Sequence, residues 1–412
     1  MRGLGVTIRG GLTRGITRNV VALGIVSLLT DVSSEMLVYL IPLFLANVLL
    51  ASPSIIGVIE GLAESAAALL KLASGVISDR IRRRRVLVGI GYGSSVLAKA
   101  LYLLATSWPV VLLARVGDRV GKGIRTSPRD ALIADSTAPE ARGVAFGLHR
   151  ALDTAGAVLG VAVALLVVAS TQGSALDLSA DTFRLLVLVA LVPGVLAVVA
   201  IVVGVRDVRK PSPQTDEPAT AAFRPRASWR QFPMAFWLFV AASGLFALGN
   251  SSDAFLSLRS QQLGVDVRDL LVMVIGFNLA NALVSWPVGA LSDRVSRRLL
   301  VAVAWTIYAV AYAGFAMAGS AGSVGMLWIL YGTYYGVNEA VGRALVADLA
   351  PTDLRATGYG VINAVVGLLV LPASVIAGLL WDRIAPGAPF WFGAACAGAA
   401  LVLLVVGVRP RS

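Results

Sequence analysis

The residues Gly75-Val76-Ile77-Ser78-Asp79-Arg80-Ile81-Arg82-Arg83-Arg84-Arg85 separate two long apolar stretches of the chain. A second copy of this pattern, Gly289-Ala290-Leu291-Ser292-Asp293-Arg294-Val295-Ser296-Arg297-Arg298, begins 214 positions after the first. A glycine allows two helix backbones to approach closely, and clustered arginines hold a connection on one side of a bilayer. Two copies at matched depth indicate a membrane protein built from two similar halves.

The composition also indicates a membrane protein with many spans. The 412 residues are 57% hydrophobic and 14% charged, and the mean hydropathy is +0.82. A soluble protein of this composition would lack a polar surface. The net charge of +12 lies mostly in short connections, which favours membrane topology over nucleic-acid binding. One cysteine and one histidine provide no internal disulfide and no Cys/His metal site, so we expect no metal and no cofactor.

Twelve apolar runs are long enough to cross about 30 Å of hydrocarbon, and we number them spans 1 to 12. They lie at 20–45, 54–78, 86–106, 109–131, 143–169, 184–205, 234–260, 269–291, 299–319, 323–346, 356–380 and 389–408. The predicted fold is an all-α membrane protein whose twelve transmembrane helices form two pseudo-symmetric six-helix bundles. The bundles comprise 1–205 and 233–412, and the proline-rich, basic segment 206–232 is predicted to be a cytoplasmic linker.

The distribution of arginine and lysine predicts the orientation. The basic residues concentrate in every second connection, so both termini are expected in the cytoplasm and the chain in the inner (cell) membrane. No Gly-rich phosphate-binding loop with a following Lys-Ser/Thr is present, so an ion gradient rather than ATP is the expected energy source.

Three motifs resemble those of the major facilitator superfamily, and the resemblance covers essentially the whole chain. The first is the duplicated loop after spans 2 and 8, with Arg82 and Ser296 where the family usually has a second glycine. The second is Arg115 within Leu113-Ala114-Arg115-Val116-Gly117-Asp118 of span 4. The third is a glycine ladder in span 5, associated with antiporters, in which Val161 replaces a proline. Its helix-packing members are Gly147, Gly156 and Gly160.

The resemblance implies two bundles that alternate access to a central site, and a cytoplasmic gate that latches neighbouring helix ends. The gate residues carried over are Gly75, Asp79, Arg80, Arg83, Gly289, Asp293, Arg294 and Arg297. The repeat extends further, because Ala131-Leu132-Ile133-Ala134-Asp135 is echoed 213 positions later by Ala344-Leu345-Val346-Ala347-Asp348.

Span 1 contains the first candidates for chemistry, Asp31 and Glu35, which share one helix face. A carboxyl group in a partly dry cavity is able to exchange a proton during transport, and an ionisable group inside a span is functional by default. We expect Asp31 and Glu35 to form a proton-responsive lock with Arg115. The alternative is that one of them is a permanent partner for a buried cation.

Span 4 contains a stripe of charge that cannot face lipid. Arg115, Asp118, Lys122, Arg125 and Arg129 step by three and four residues, with Arg119 beside them. The stripe either lines a cavity, where its cations would attract an anionic substrate, or pairs with acids on neighbouring spans. For Glu60 and Glu64 of span 2 we favour a structural ion pair with span 4, and for His149 a satisfied interfacial site.

The second half supplies amides, phenols and carboxyls to the predicted cavity. With Asp118, Arg119 and Lys122 from span 4, the substrate-cavity candidates are Asp253, Asn278, Asn281, Tyr331, Tyr335, Asn338 and Glu339. Such groups beside aromatic faces suit an organic molecule with an apolar body, although asparagine and tyrosine also join helices structurally.

These observations predict a secondary active transporter, and not an enzyme. Proton-coupled efflux of an organic small molecule by antiport is the leading hypothesis. Uptake or exchange of an organic anion through the span 4 cations is the alternative, and a non-transporting scaffold or sensor is a remote third. The expected partners are a small-molecule substrate and the lipid bilayer, with no nucleic acid, and the protein is expected to be a monomer.

Overall fold

The computed structural model describes residues 16–81, 83–208, 231–292 and 294–407, and these residues form helices and no strands. The twelve predicted spans are all present. They are Arg18–Val48, Pro53–Ile81, Arg84–Leu104, Trp108–Asp135, Arg142–Thr171, Ala180–Gly204, Met234–Gln262, Val267–Leu291, Arg297–Met317, Ala321–Leu349, Arg355–Arg383 and Ala388–Gly407. No observed end differs from its predicted position by more than four residues. The twelve-helix prediction is therefore confirmed, while linker residues 209–230 lie outside the described residues.

Nine of the described spans are long and apolar enough to cross a membrane by length and composition. Spans 2, 4 and 10 have 28 or 29 residues, so they are long enough, but each carries several charged side chains. Most of these charged residues line the central cavity described below, where they are shielded from lipid, whereas Asp79 and Arg80 at the end of span 2 are exposed.

Span 7 is interrupted. Its first helix, Met234–Gly249, is separated from its second, Ala254–Gln262, by the polar sequence Asn250-Ser251-Ser252-Asp253. Short polar side chains compete for backbone hydrogen bonds, and here the Ala254 amide donates to Ser252 Oγ at 3.3 Å. The Ser252 amide donates to Ser374 Oγ of span 11 at 3.2 Å, which ties the interruption to a neighbouring span. This break positions Asp253 at the centre of the molecule.

Span 5 packs closely on span 1, as the glycine ladder predicts. A Cβ atom at Gly156 would lie 2.5 Å from the Leu28 carbonyl oxygen, and one at Gly160 would lie 2.6 Å from that of Val32. These two glycines therefore allow the helices to touch. The prediction that Gly147 has the same role is wrong, because nothing lies within 4 Å of its Cβ position and it borders the cavity instead.

The two six-span groups meet through span 2 against span 11 and span 5 against span 8. At the span 2–11 crossing a Cβ atom at Gly57 would lie 2.2 Å from the Ser374 carbonyl oxygen. At the end distant from the arginine-rich connections, the Gln261 side chain donates to Asn47 Oδ1 at 3.0 Å. Ser54 donates to the Asp382 carboxylate at the same end. These contacts close the groups at this end, and spans 2 and 11 remain in contact as far as Ala68 and Gly367.

Candidate substrate and proton site

A central cavity of about 1650 Å³ lies between the two groups. Spans 1, 2, 4 and 5 line one side, and spans 7, 8 and 10 line the other. It extends toward the arginine-rich end, where Gly147 and Arg343 border it and the ion pair between Arg150 and Glu339 bridges the two groups. Gly147 and Arg343 are both exposed, so the cavity opens toward the arginine-rich end.

Both candidate carboxyls of span 1 line this cavity, Asp31 near the middle of the span and Glu35 one turn further from the opening. Neither makes a hydrogen bond, nor an ion pair within 4 Å, to any residue that the structure describes. Lys122 also borders the cavity and interacts electrostatically with both carboxyls. Two acids that lack a fixed partner are therefore free to exchange a proton or to bind a ligand.

Arg115 does not join those carboxyls. Its guanidinium makes a two-point ion pair with Glu60 of span 2, with Nε–Oε1 at 2.8 Å and Nη2–Oε2 at 2.7 Å. The exposed fractions of the two side chains are only 4% and 3%. One turn away, Arg119 Nε lies 2.9 Å from Glu64 Oε1. The structural pairing of spans 2 and 4 is present, and the predicted Asp31–Glu35–Arg115 lock is absent from this state because Arg115 points toward span 2.

The remaining stripe residues of span 4 are dispersed. Arg125 stacks over the Tyr92 ring, with its guanidinium carbon 4.4 Å from the ring centroid, and donates to Ser95 Oγ. Arg129 Nη2 lies 3.0 Å from its neighbour Asp130. Lys122 is exposed to the cavity and has no carboxylate within 4 Å among the described residues.

Asp118 was predicted to line the substrate cavity, and this prediction is wrong. It is 6% exposed and lies outside the cavity lining, on the face of span 4 that packs against span 3. Ser95 of span 3 donates to the Asp118 carbonyl oxygen at 3.2 Å, and Lys99 of the same span contributes a nearby positive charge. Lys99 itself donates to Ser33 Oγ at 2.8 Å and Ser34 Oγ at 2.9 Å. Sequence reasoning missed this buried lysine, although a lysine inside span 3 was the available signal.

The cavity lining contains equal numbers of acidic and basic side chains. Its eight acidic residues are Asp31, Glu35, Glu60, Glu64, Asp130, Asp153, Asp253 and Glu339. Its eight lysine and arginine residues are Lys71, Arg115, Arg119, Lys122, Arg125, Arg129, Arg150 and Arg343. The formal charge is therefore zero with His149 neutral. The cation surplus expected from span 4 alone is cancelled by acids on the neighbouring spans.

In the second group, the predicted residues Asp253, Asn278, Asn281, Tyr335 and Glu339 all line the cavity. Tyr331 and Asn338 do not. Tyr331 is fully buried behind Asp253, and its hydroxyl donates to Asp253 Oδ1 at 2.6 Å. It therefore supports the cavity wall and does not form it, because its ring faces the aromatic core of the second group.

One ion pair crosses the cavity between the groups. Arg150 of span 5 is paired with Glu339 of span 10, and the exposed fractions of these side chains are 61% and 43%. Next to it, His149 Nδ1 lies 3.5 Å from Asp153 Oδ2, and His149 Nε2 is buried without a partner among the described residues. His149 is therefore buried, and only one of its two ring nitrogens has a partner among the described residues. We predicted instead an interfacial histidine whose hydrogen bonds are all made.

At the arginine-rich end the two halves repeat the same ion pair. Arg84 is paired with Asp135 and lies 3.1 Å from Asp79, and at an offset of 213 positions Arg297 Nη1 lies 2.6 Å from Asp348 Oδ1. We predicted Arg83 as a gate residue, but Arg83 is exposed and the neighbouring Arg84 makes the ion pairs. Asp293 lies outside the described residues.

The other predicted gate residues make few contacts in this state. Arg80 and Arg294 are exposed. The expectation of close backbone contact at Gly75 and Gly289 is wrong here, because a Cβ at Gly75 would be 3.5 Å from Ser127 and one at Gly289 would meet nothing within 4 Å. At these two glycines the helices therefore do not make close backbone contact.

Comparisons with known proteins agree with this architecture. Residues 23–371 match the family model described as Major Facilitator Superfamily. An MFS-type transporter of Methanocaldococcus jannaschii is 36% identical over 390 residues, which cover 93% of each chain. The quinolone resistance protein NorA of Staphylococcus aureus is 22% identical over 146 residues, covering 35% of this chain and 37% of NorA. The fold resembles a bacterial homologue of the human lysosomal transporter Spinster in its inward-facing, unoccupied form, with a TM-score of 0.70, 17% identity and 94% of each chain covered.

Proposed function

The chain belongs to the major facilitator superfamily of transporters, and from that premise we propose that it exports an organic small molecule in exchange for protons. The observation that carries this proposal is the pair of carboxyls on span 1. Asp31 and Glu35 line the central cavity, and neither has a hydrogen bond or an ion pair within 4 Å among the described residues.

The unpaired carboxyls of Asp31 and Glu35 couple the change of conformation to binding of a proton or of substrate. When the cavity closes around them on the way to the opposite state, a bare carboxylate would lose water without gaining a fixed partner, which is costly. Protonation removes the charge, and a bound substrate that contacts the carboxylate offsets it. The transporter therefore changes state with a proton or with substrate, and exchange of one for the other follows.

Two observations support export as the direction. Gly156 and Gly160 of span 5 retain the spacing of the glycine ladder associated with antiporters, and both are in close contact with span 1. The partial similarity to NorA, whose name denotes quinolone resistance, points the same way.

Exchange of an organic anion is the second candidate, and Lys122 is the observation in its favour. This lysine is exposed in the cavity without a fixed carboxylate partner. However, Arg115 and Arg119 are already paired with Glu60 and Glu64. A single lysine beside two unpaired carboxyls is weaker support for an anion site than the sequence suggests.

The test is solute flux in sealed proteoliposomes with an acidic interior. The proposal predicts solute accumulation that collapses with the pH gradient and that is lost in Asp31→Asn and Glu35→Gln. Asp181→Asn is the matched control, because its carboxyl lies at the start of span 6 and is 96% exposed. Gradient-driven flux that survives in both span 1 variants would contradict proton coupling through these residues. Flux that requires Lys122 but no gradient would instead favour anion exchange.

A further inference from the structure

We propose that the break in span 7 forms a binding site for the positively charged group of an organic cation, with Asp253 as its counter-ion. This inference rests on the proposed transport function and names the class of its substrate. The site consists of Asp253 and Asn250 from the break, together with the aromatic rings of Tyr39, Phe277 and Tyr335, all of which border the cavity.

Asp253 differs from most acids of the cavity in the nature of its partners. Glu60, Glu64, Asp130 and Glu339 each face an arginine within 4 Å. The Asp253 carboxylate has no lysine, arginine or histidine within 4 Å among the described residues. Its only hydrogen-bond donors among those residues are the phenol groups of Tyr331 and Tyr335. Tyr331 donates to Oδ1 at 2.6 Å, whereas Tyr335 approaches Oδ2 at only 3.5 Å. One oxygen of the carboxylate is therefore well positioned and the other remains available to a donor from the cavity.

Asn250 provides a second acceptor at the same break. Its Oδ1 atom is buried and has no hydrogen-bond partner among the described residues, although the residue borders the cavity. A buried acceptor without a donor is costly, so an unfilled one beside a carboxylate indicates a ligand that brings N–H or positive charge.

The surrounding aromatic rings suit the same ligand. The Phe277 and Tyr335 rings meet edge to face with centroids 5.4 Å apart, and Tyr335 also packs against Tyr331 at 5.4 Å. Tyr39 of span 1 contributes a ring from the opposite group and lies close enough to interact electrostatically with Asp253. Aromatic faces attract cations and exclude water from the apolar body of an organic molecule.

The distribution of unpaired charge agrees with a cation. Near the middle of the cavity, the acids without an ion pair to a lysine or arginine among the described residues are Asp31, Glu35, Asp153 and Asp253. The cations there without a carboxylate partner are Lys122 and Arg125, and the Arg125 guanidinium already stacks on Tyr92 and donates to Ser95. Lys71 and Arg343 also have no ion pair among the described residues, but they lie ten and six residues before the ends of spans 2 and 10, in the halves nearer the arginine-rich end. The central layer therefore has excess negative charge, which favours a cationic ligand over an anionic one.

The test is equilibrium binding to the purified full chain without any gradient, using tetraphenylphosphonium as the cation and tetraphenylborate as a probe of nearly the same shape and opposite charge. We expect tetraphenylphosphonium to bind and tetraphenylborate to bind at least about tenfold more weakly. Asp253→Asn should weaken cation binding by about 10- to 100-fold, because tetraphenylphosphonium has no hydrogen-bond donor and the variant removes the attraction between the carboxylate and the phosphonium charge. Asp181→Asn should bind like the wild type.

A second pair of variants keeps the test informative if Asp253→Asn fails to fold. Tyr335→Leu removes an aromatic face and should weaken cation binding more than Tyr335→Phe, which retains the ring. Equal affinity for the two probes, or wild-type cation affinity in Asp253→Asn, would overturn the inference. These results are separable from the proposed function. Cation binding that depends on Asp253 without proton-coupled flux contradicts only the coupling, and coupled flux of solutes with Asp253-independent binding contradicts only the cation site.

Discussion

The buried ion pair between Arg115 and Glu60 provides the sharpest prediction about stability. Both side chains are at least 96% buried, and two N–O contacts of 2.7 and 2.8 Å join span 4 to span 2. Removal of one partner leaves a buried charge, which costs about 3–5 kcal/mol. After Glu60→Gln the guanidinium retains only Glu64, at 4.0 Å, and after Arg115→Met the carboxylate retains only a long contact of 3.5 Å from Ser252.

The double variant Glu60→Gln/Arg115→Met removes both charges and should therefore cost less than the sum of the single variants, by about 2 kcal/mol or more. The measurement is the free energy of unfolding by tryptophan fluorescence during reversible unfolding in mixed detergent and SDS micelles. Asp181→Asn is the control and should cost less than about 1 kcal/mol, because that carboxyl is 96% exposed and water screens its pair with Arg184.

Additive costs in this cycle, within about 0.5 kcal/mol, would refute the reasoning, because they would show that the two groups do not depend on each other. A Glu60→Gln cost no larger than that of Asp181→Asn would refute it as well. Either result would mean that packing of the helices, and not the ion pair, joins span 2 to span 4.

Two further predictions concern helix contacts. Gly156→Ala should destabilise the protein by about 1–3 kcal/mol, because its Cβ would lie 2.5 Å from a backbone carbonyl oxygen. Gly147→Ala should be neutral or stabilising by up to about 1 kcal/mol, because nothing lies near its Cβ position. Thermal unfolding compares the two variants, and equal losses of stability would contradict the packing description. Joining Asn47→Cys to Gln261→Cys with a short reducible crosslinker should hold the closed end shut, since these side chains are 3.0 Å apart. Flux should stop on crosslinking and return on reduction, while either single cysteine variant treated alike should transport normally; undiminished flux in the crosslinked protein would show that this end does not open.

The sequence predicts the helices well because crossing a bilayer requires long apolar runs, and their ends are marked by charge. It also predicts that Asp31 and Glu35 share a face, since helical spacing determines which residues of one helix lie together. Both residues do line the cavity. These properties belong to a single helix, so they need no knowledge of its neighbours.

Properties that depend on two helices were harder to predict. The choice between Glu60 and the span 1 acids as partners of Arg115 depends on the rotation of span 4 about its axis, which no single segment specifies. The same rotation turns Asp118 toward span 3 and away from the cavity. The choice of Arg83 instead of Arg84 has a related cause, because a run of four arginines does not show which of them makes the ion pair. The repeat would have selected Arg84, since Arg84 lies 213 positions before Arg297.

The measurement that tests the central claim most directly is proton movement caused by substrate alone. A tetraphenylphosphonium gradient is imposed across proteoliposomes without any initial pH difference, and a pH-sensitive dye inside reports protons. The account predicts proton flow opposite to the cation in the wild type and none in the Asp31→Asn/Glu35→Gln variant. Tetraphenylphosphonium crosses a bilayer unaided, so protein-free vesicles set the baseline. Wild-type proton flow no greater than that baseline, or equal proton flow in that variant, would contradict the account.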